Sequence, residues 1–317
     1  MSIAERLHDA ADDFGSLARI DEPLGPLTTY RVGGAAAIFV NPRSLSELHE
    51  VAGVIARYDL PVLVLGRGSN LLVADAGFAG VALSLADWAD RIDVDGADVQ
   101  SGSAVALPVL ARRTAAAGLT GFEWAVGVPG SIGGAVRMNA GGHGSDMAAC
   151  IVRAEVFDLR TQRCGWRPVE SLGLRFRGSN IVDHEVVLTA HLSLAAGDSA
   201  RSEREIADIV KWRRENQPGG QNAGSVFVNP IPGQLSAGEL IDRLGLRGFR
   251  IGSAFVSEKH ANFIQAVEGA TATDVKAVID EVRASVARET GFELRSEVRL
   301  VGFDEAGAAQ SGGSAHG

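Results

Sequence analysis

The chain reads as an α+β protein in two successive parts, and three features of its sequence predict this. Helical and strand-like hydrophobic patterns alternate along its 317 residues, with no internal repeat. Glycine is over-represented, 39 residues in all, against roughly 7% in average usage, and its clusters fall before residue 197. A shift in composition at Ala195-Ala196-Gly197-Asp198-Ser199 reads as a linker, which places the boundary near residue 197.

The elements follow in chain order. Ser44-Leu45-Ser46-Glu47 has the form of a capping box, and behind it Leu48, Val51, Ala52 and Ile55 share one helical face. Leu60-Pro61 ends that helix. Val62-Leu63-Val64-Leu65 then predicts a short strand buried on both faces. Pro108 in a first turn and Gly118 as a stop bound a helix over 107–117. Strands are expected at 152–157 and 185–194. Beyond the linker come a charged helix over 201–216 and another opened by Ser236-Ala237-Gly238-Glu239. An amphipathic helix over 274–289 carries Val275, Val278, Ile279, Val282 and Val286 in register. Last is a strand over 292–301, whose alternation puts Glu293, Arg295, Glu297, Arg299 and Val301 on one face. From Asp304 the Ala, Gly, Ser and Gln run predicts disorder.

Composition excludes several classes. Lys plus Arg is 30 and Asp plus Glu is 39, a net charge of −9, which is not the footprint of a nucleic-acid binder. No run of about eighteen apolar residues occurs, so no membrane span is expected. Met1 to Arg6 leads into the acidic stretch 9–13 rather than an apolar leader, and a cytoplasmic protein is the expectation. Cys150 and Cys164 are too few and too far apart for a disulfide framework or a zinc site; two reduced thiols and no metal are expected.

The glycine clusters carry the chemistry. Gly66-Arg67-Gly68-Ser69-Asn70 follows the buried strand, but Leu71 stands where a dinucleotide fingerprint needs a third glycine. An extended segment follows where that fingerprint needs a helix. This sets aside a nicotinamide-only Rossmann dehydrogenase. The cluster is then either an anion-binding nest of N–H groups or an ordinary glycine-rich hairpin. A second run, Gly127 to Gly142, holds six glycines. In it Ser131 can cap a short helix starting at Ile132, with Gly133-Gly134 leaving the first turn bare for a phosphate. Close packing of two backbones is the structural alternative. Two such cradles in one part suit a diphosphate cofactor better.

Taken together, Thr28-Thr29-Tyr30-Arg31-Val32-Gly33-Gly34, Gly66 to Asn70, Val128-Pro129-Gly130-Ser131-Ile132-Gly133-Gly134-Ala135 and Met138-Asn139-Ala140-Gly141 resemble the UDP-N-acetylenolpyruvoylglucosamine reductases (MurB), in their shorter second type. The segments Ala223 to Pro230, Val256 to Phe263 and Glu293 to Val298 agree, so the resemblance covers roughly residues 20–302 in order. It implies a two-subdomain FAD-binding fold of the vanillyl-alcohol oxidase type over 27–197, split near 90, after an N-terminal segment 1–26. A smaller α/β substrate-binding domain over 198–302 and a tail over 303–317 complete the layout. Further implications are non-covalent FAD, NADPH as co-substrate, a monomer and a role in peptidoglycan precursor synthesis. The cofactor contacts would be Gly66, Arg67, Gly68, Ser69, Asn70, Leu71, Gly130, Ser131, Ile132, Gly133, Gly134, Asn139, Ala140 and Gly141. Asn229, His260 and Asn262 would help to bind the sugar nucleotide.

The family's reaction reduces an enolpyruvyl ether to a lactyl ether, with hydride delivered to the β-carbon and charge developing at the α-carbon and carboxylate. Such a site needs a cation on the carboxylate and a proton donor for the carbon. By resemblance these are Arg177, a planar bidentate cation, and Ser225, with Glu297 as the third catalytic group beside Arg177. Phe176 replaces the family's usual Tyr, Val228 its Lys or Arg, and Gly142-His143 its Ala-Tyr. These departures leave two alternatives, a divergent paralogue and a same-fold flavin oxidase acting on another small alcohol or sugar.

Overall fold

The computed structural model describes residues 1–303, so the tail expected to be disordered from Asp304 lies outside the described residues. The architecture is α+β, in three packed units. The first begins with the helix Ile3–Phe14, closed reciprocally by Ser2 and Glu5. It buries Ala10 and Phe14 against Leu48, Val51 and Ile55 of the helix Leu45–Tyr58. Beside them runs a four-stranded sheet in the order Ala18–Pro23, Ala35–Val40, Phe78–Leu83, Val62–Val64. Its first pair is antiparallel and the others are parallel. The segment 1–26 is thus part of this unit, supplying a helix and an edge strand. Only half of the predicted capping box at Ser44 forms: its hydroxyl accepts from Glu47 N, while the Glu47 carboxylate turns to Arg43 N.

The second unit is a five-stranded antiparallel sheet, in the order Arg163–Pro168, Ile151–Asp158, Glu185–Ser193, Asp98–Gly102, Ile92–Asp95. The helices Leu107–Ala116 and Ile132–Met138 share its core through Leu107, Leu110, Ile132 and Val136. The predicted linker is not free chain. Ala195–Ala196 pairs with Leu119–Thr120, and the following helix, Ser199–Asn216, puts Ile206 and Ile209 into this same core. Ser202 Oγ on that helix also donates to the buried Glu123 carboxylate at 2.5 Å. Packing therefore assigns the helix to the second unit, although composition places it beyond the boundary at 197.

A three-stranded antiparallel sheet (Arg250–Ile251, Ala254–Val256, Ile264–Ala266) and the helices Ala237–Arg243 and Ala272–Thr290 form the third unit. The valine and isoleucine stripe of the last helix is buried as its spacing predicts. The predicted strand 292–301 is mostly irregular, and only Arg299–Val301 is extended in a ladder. Val298 and Val301 are both buried although three residues apart, which breaks a period of two. Arg299–Val301 returns to the first unit and pairs in parallel with Leu71–Val73, while residues 295–297 run along 226–228. No helix among the described residues is long and apolar enough to cross a membrane.

Candidate functional site

The loop after the strand Val62–Val64 turns sharply at Gly68, where φ is +59° and a Cβ would strike the Leu27 carbonyl. The backbone N–H groups of Gly66 through Asn70 find no acceptor among the described residues. They are free donors in a loop that lines a cavity wall, where a nest of N–H groups could bind an anion. Asn70 anchors the loop by donating from Nδ2 to the Glu297 carbonyl at 2.9 Å.

The second glycine run divides into two functions. Ser131 caps the helix Ile132–Met138, accepting from Gly134 N at 3.4 Å. The N–H groups of Ile132 and Gly133 are spent on the carbonyls of Val105 and Ser103, at 2.9 Å each. The helix start is therefore not the bare phosphate cradle that its sequence predicts, because the neighbouring chain 103–105 has taken its donors. Gly133 is needed for packing, since a Cβ there would lie 2.9 Å from Ser103 Cβ. Gly134 is open: an added Cβ would meet only Ser131 Oγ, at 3.5 Å, and would otherwise project into the cleft.

A cavity of about 920 Å³ runs between the first two units, lined by Thr28, Thr29, Arg31, Ser84, Ser103, Gly133 and the third unit's Gln221. It meets a second cavity of about 270 Å³ at Gly66, Arg67, Ser131, Gly134 and Arg137. All of Gly66 to Leu71 line the smaller cavity, as do Gly130, Ala140 and Gly141. Ile132 and Asn139 line neither and are buried.

Arg177, Ser225 and Glu297 all face the smaller cavity, brought there from three distant segments. Arg177 Nε lies 2.8 Å from Glu297 Oε2, and Arg177 Nη1 donates to the Gly141 carbonyl at 3.2 Å. The arginine sits at φ +57°, a left-handed conformation costing roughly 1–2 kcal/mol for a residue with a Cβ. Burial pushes the Glu297 carboxyl above its ordinary value, and the nearby cations Arg177 and Arg295 oppose that. Ser225 is placed by its neighbour Val226, whose carbonyl accepts from Glu297 N at 2.7 Å.

The predicted sugar-nucleotide contacts do not reach either cavity. Asn262 is buried and exchanges two hydrogen bonds with the Phe227 backbone. Asn229 Oδ1 accepts from Ala237 N, at the start of a helix. His260 accepts from Asn262 N and packs its ring on Phe263. Asn262 is thus spent on the third unit's backbone, while Asn229 and His260 each use one polar atom there; Val228 also lies outside the cavity lining. Phe176 is exposed beside the Arg177 guanidinium, and His143 leans edge-on against Trp212. The sequence reading missed Arg137, Arg213, Gln217 and Arg299, which line the smaller cavity. The run Arg213-Arg214 before Gln217-Pro218 was the available signal for two of them.

A cleft of this volume is within the range of small-molecule and cofactor sites. Its free N–H nest and the space left at Gly134 fit the diphosphate of a dinucleotide cofactor. Fold and site together define a flavoprotein: residues 36–161 match the FAD binding domain family, and residues 216–301 match the C-terminal domain of UDP-N-acetylenolpyruvoylglucosamine reductase. The chain is 42% identical to the UDP-N-acetylenolpyruvoylglucosamine reductase of Heliobacterium modesticaldum, covering 95% of this chain and 96% of that protein. The Bacillus subtilis reductase is 37% identical, over 89% and 93% respectively. Among solved structures, the UDP-N-acetylenolpyruvylglucosamine reductase (MurB) of Thermus caldophilus superposes with a TM-score of 0.78 at 33% identity, covering 90% of this chain and 99% of that one. The chain belongs to the UDP-N-acetylenolpyruvoylglucosamine reductase family, and is an FAD-dependent oxidoreductase.

Proposed function

We propose that the chain reduces UDP-N-acetylglucosamine enolpyruvate to UDP-N-acetylmuramate, drawing electrons from NADPH through bound FAD. The observation that carries this reading is the convergence of Arg177, Ser225 and Glu297 on one cavity that opens directly into the glycine-lined cleft. The Gly66–Asn70 loop and the open face at Gly134 would hold FAD, which would supply the hydride for the β-carbon. Arg177 binds the enolpyruvyl carboxylate as a two-pronged donor and spreads the charge that develops there. Glu297 holds the guanidinium as an ion pair at Nε, without an aligned hydrogen bond, and the Gly141 carbonyl takes Nη1, leaving Nη2 for the ligand. Ser225 gives its hydroxyl proton to the α-carbon, which is basic enough in its enolate form to take it.

The test is anaerobic. Flavin reduced by NADPH should be reoxidised on addition of the enolpyruvyl sugar nucleotide, and reduced flavin that persists would turn the assignment to a divergent paralogue. Because its substrates are charged nucleotides, we place the enzyme in the cytoplasm, as a monomer whose substrate-binding unit begins near residue 216. Size-exclusion chromatography with light scattering checks the monomer.

A further inference from the structure

We propose that Asn139 is a positioning residue for Arg177, an inference that rests on Arg177 being the group that binds the enolpyruvyl carboxylate. Asn139 ends the helix Ile132–Met138 in a left-handed conformation, φ +41°, and its side chain turns away from both cavities into the protein. There it ties together the two segments that determine where the arginine points. Its Nδ2 donates to the Arg175 carbonyl at 3.3 Å and to Asp146 Oδ2 at 3.0 Å, and its Oδ1 accepts from Ala148 N at 2.9 Å.

The first tie holds the base of a tight turn. Arg175 and Gly178 exchange both backbone hydrogen bonds, so Phe176 and Arg177 form the tip, with Arg177 in its left-handed conformation. The second tie holds the small hairpin in which Gly141–Gly142 pairs with Ser145–Asp146, and the third holds the turn just after it, at Ala148. The Gly141 carbonyl of that hairpin takes Arg177 Nη1. One buried amide therefore sets the backbone from which the arginine springs and also the acceptor on which its guanidinium rests. The Arg177 contact to Glu297 comes from a third segment and is independent of Asn139.

The test uses the FAD-loaded enzyme and separates the two half-reactions. Asn139→Gly keeps the left-handed backbone at no steric cost and removes the side chain that makes the three ties. It should retain FAD with the parent dissociation constant and be reduced by NADPH at the parent rate. Its reoxidation by the enolpyruvyl substrate should be roughly 10–10²-fold slower, the order that a ~1 Å misplacement of a reacting group costs. Should Asn139→Gly fail to fold, Asp146→Ala removes one tie on the partly exposed hairpin and should give the same split to a smaller degree. Combining Asn139→Gly with Arg177→Lys should add little to the loss from Arg177→Lys alone, because both act through one guanidinium. Weakened FAD binding would make Asn139 a flavin contact and overturn the proposal, as would additive losses. An Arg177→Lys enzyme that reoxidises at the parent rate would instead overturn the role of Arg177 itself.

Discussion

Ser225 and Glu297 both bear on reoxidation by the enolpyruvyl substrate, and each has a distinct signature. Ser225→Ala should leave reduction by NADPH near the parent rate and slow reoxidation by roughly the 10²–10⁴-fold that a positioned acid contributes. Stopped-flow measurement of both half-reactions checks this, and parent-rate reoxidation would point to a water as the donor. Glu297 is ion-paired with Arg177 while burial raises its pKa above 4.5. If the ionised form orients Arg177, reoxidation should quicken as pH rises through that raised value. The limb should vanish in Glu297→Gln. The same raised value has a thermodynamic sign: the folded state holds this proton more tightly than the unfolded one. Stability contributed by Glu297 is therefore full below 4.5 and declines as pH rises through the folded pKa. A pH–rate profile of the Gln variant that keeps the limb would remove Glu297 from it.

The short helix Ile132–Met138 shows how adjacent glycines can serve different ends. Gly134→Val should fold normally, since its Cβ meets only an ordinary contact with Ser131, but should lose FAD from the cleft it fills. Gly133→Val should instead lower the melting temperature, because its Cβ lies 2.9 Å from Ser103 Cβ. Flavin absorbance after desalting, read beside a thermal melt, distinguishes the two. Sequence could not separate these residues, as what differs between them is the chain 103–105 packed on one side. Local signals were otherwise well expressed: the cap at Ser131, the extended run after Asn70 and the valine stripe of the last helix all took their predicted form. The misplaced readings share a cause. The helix Ser199–Asn216, the strand 292–301 and the side chain of Asn262 are each governed by a partner far away in sequence. Asn262, for example, looks like a ligand-binding amide until the Phe227 backbone is seen to occupy both ends of it. Convergence of Arg177, Ser225 and Glu297 was legible only through family resemblance, because no spacing links them.

Across the whole molecule, a buried carboxylate ties the helix Ser199–Asn216 into the second unit, and long-range pairings join the units. Burial alone would raise the Glu123 pKa, yet hydrogen bonds from Ser202, its own backbone, Thr120 and Gly121 hold it below 4.5. A depressed carboxyl contributes stability above 4.5 that is lost as pH falls through the folded value. Ser202→Ala should therefore cost about 1–3 kcal/mol at neutral pH, with the gap to the parent narrowing in acid; thermal unfolding at several pH values measures it. A gap independent of pH would mean that the hydroxyl contributes only packing. The parallel ladder between Leu71–Val73 and Arg299–Val301 reaches further. Asn70 bonds the Glu297 carbonyl across a separation of 227 residues. At the usual pace of translation that interval is roughly 10–45 s, during which the nascent glycine loop has neither its flanking strand partner nor its anchor. Cofactor capture thus waits for the strand Arg299–Val301, and a ribosome-stalled chain lacking that strand should emerge colourless however much FAD surrounds it.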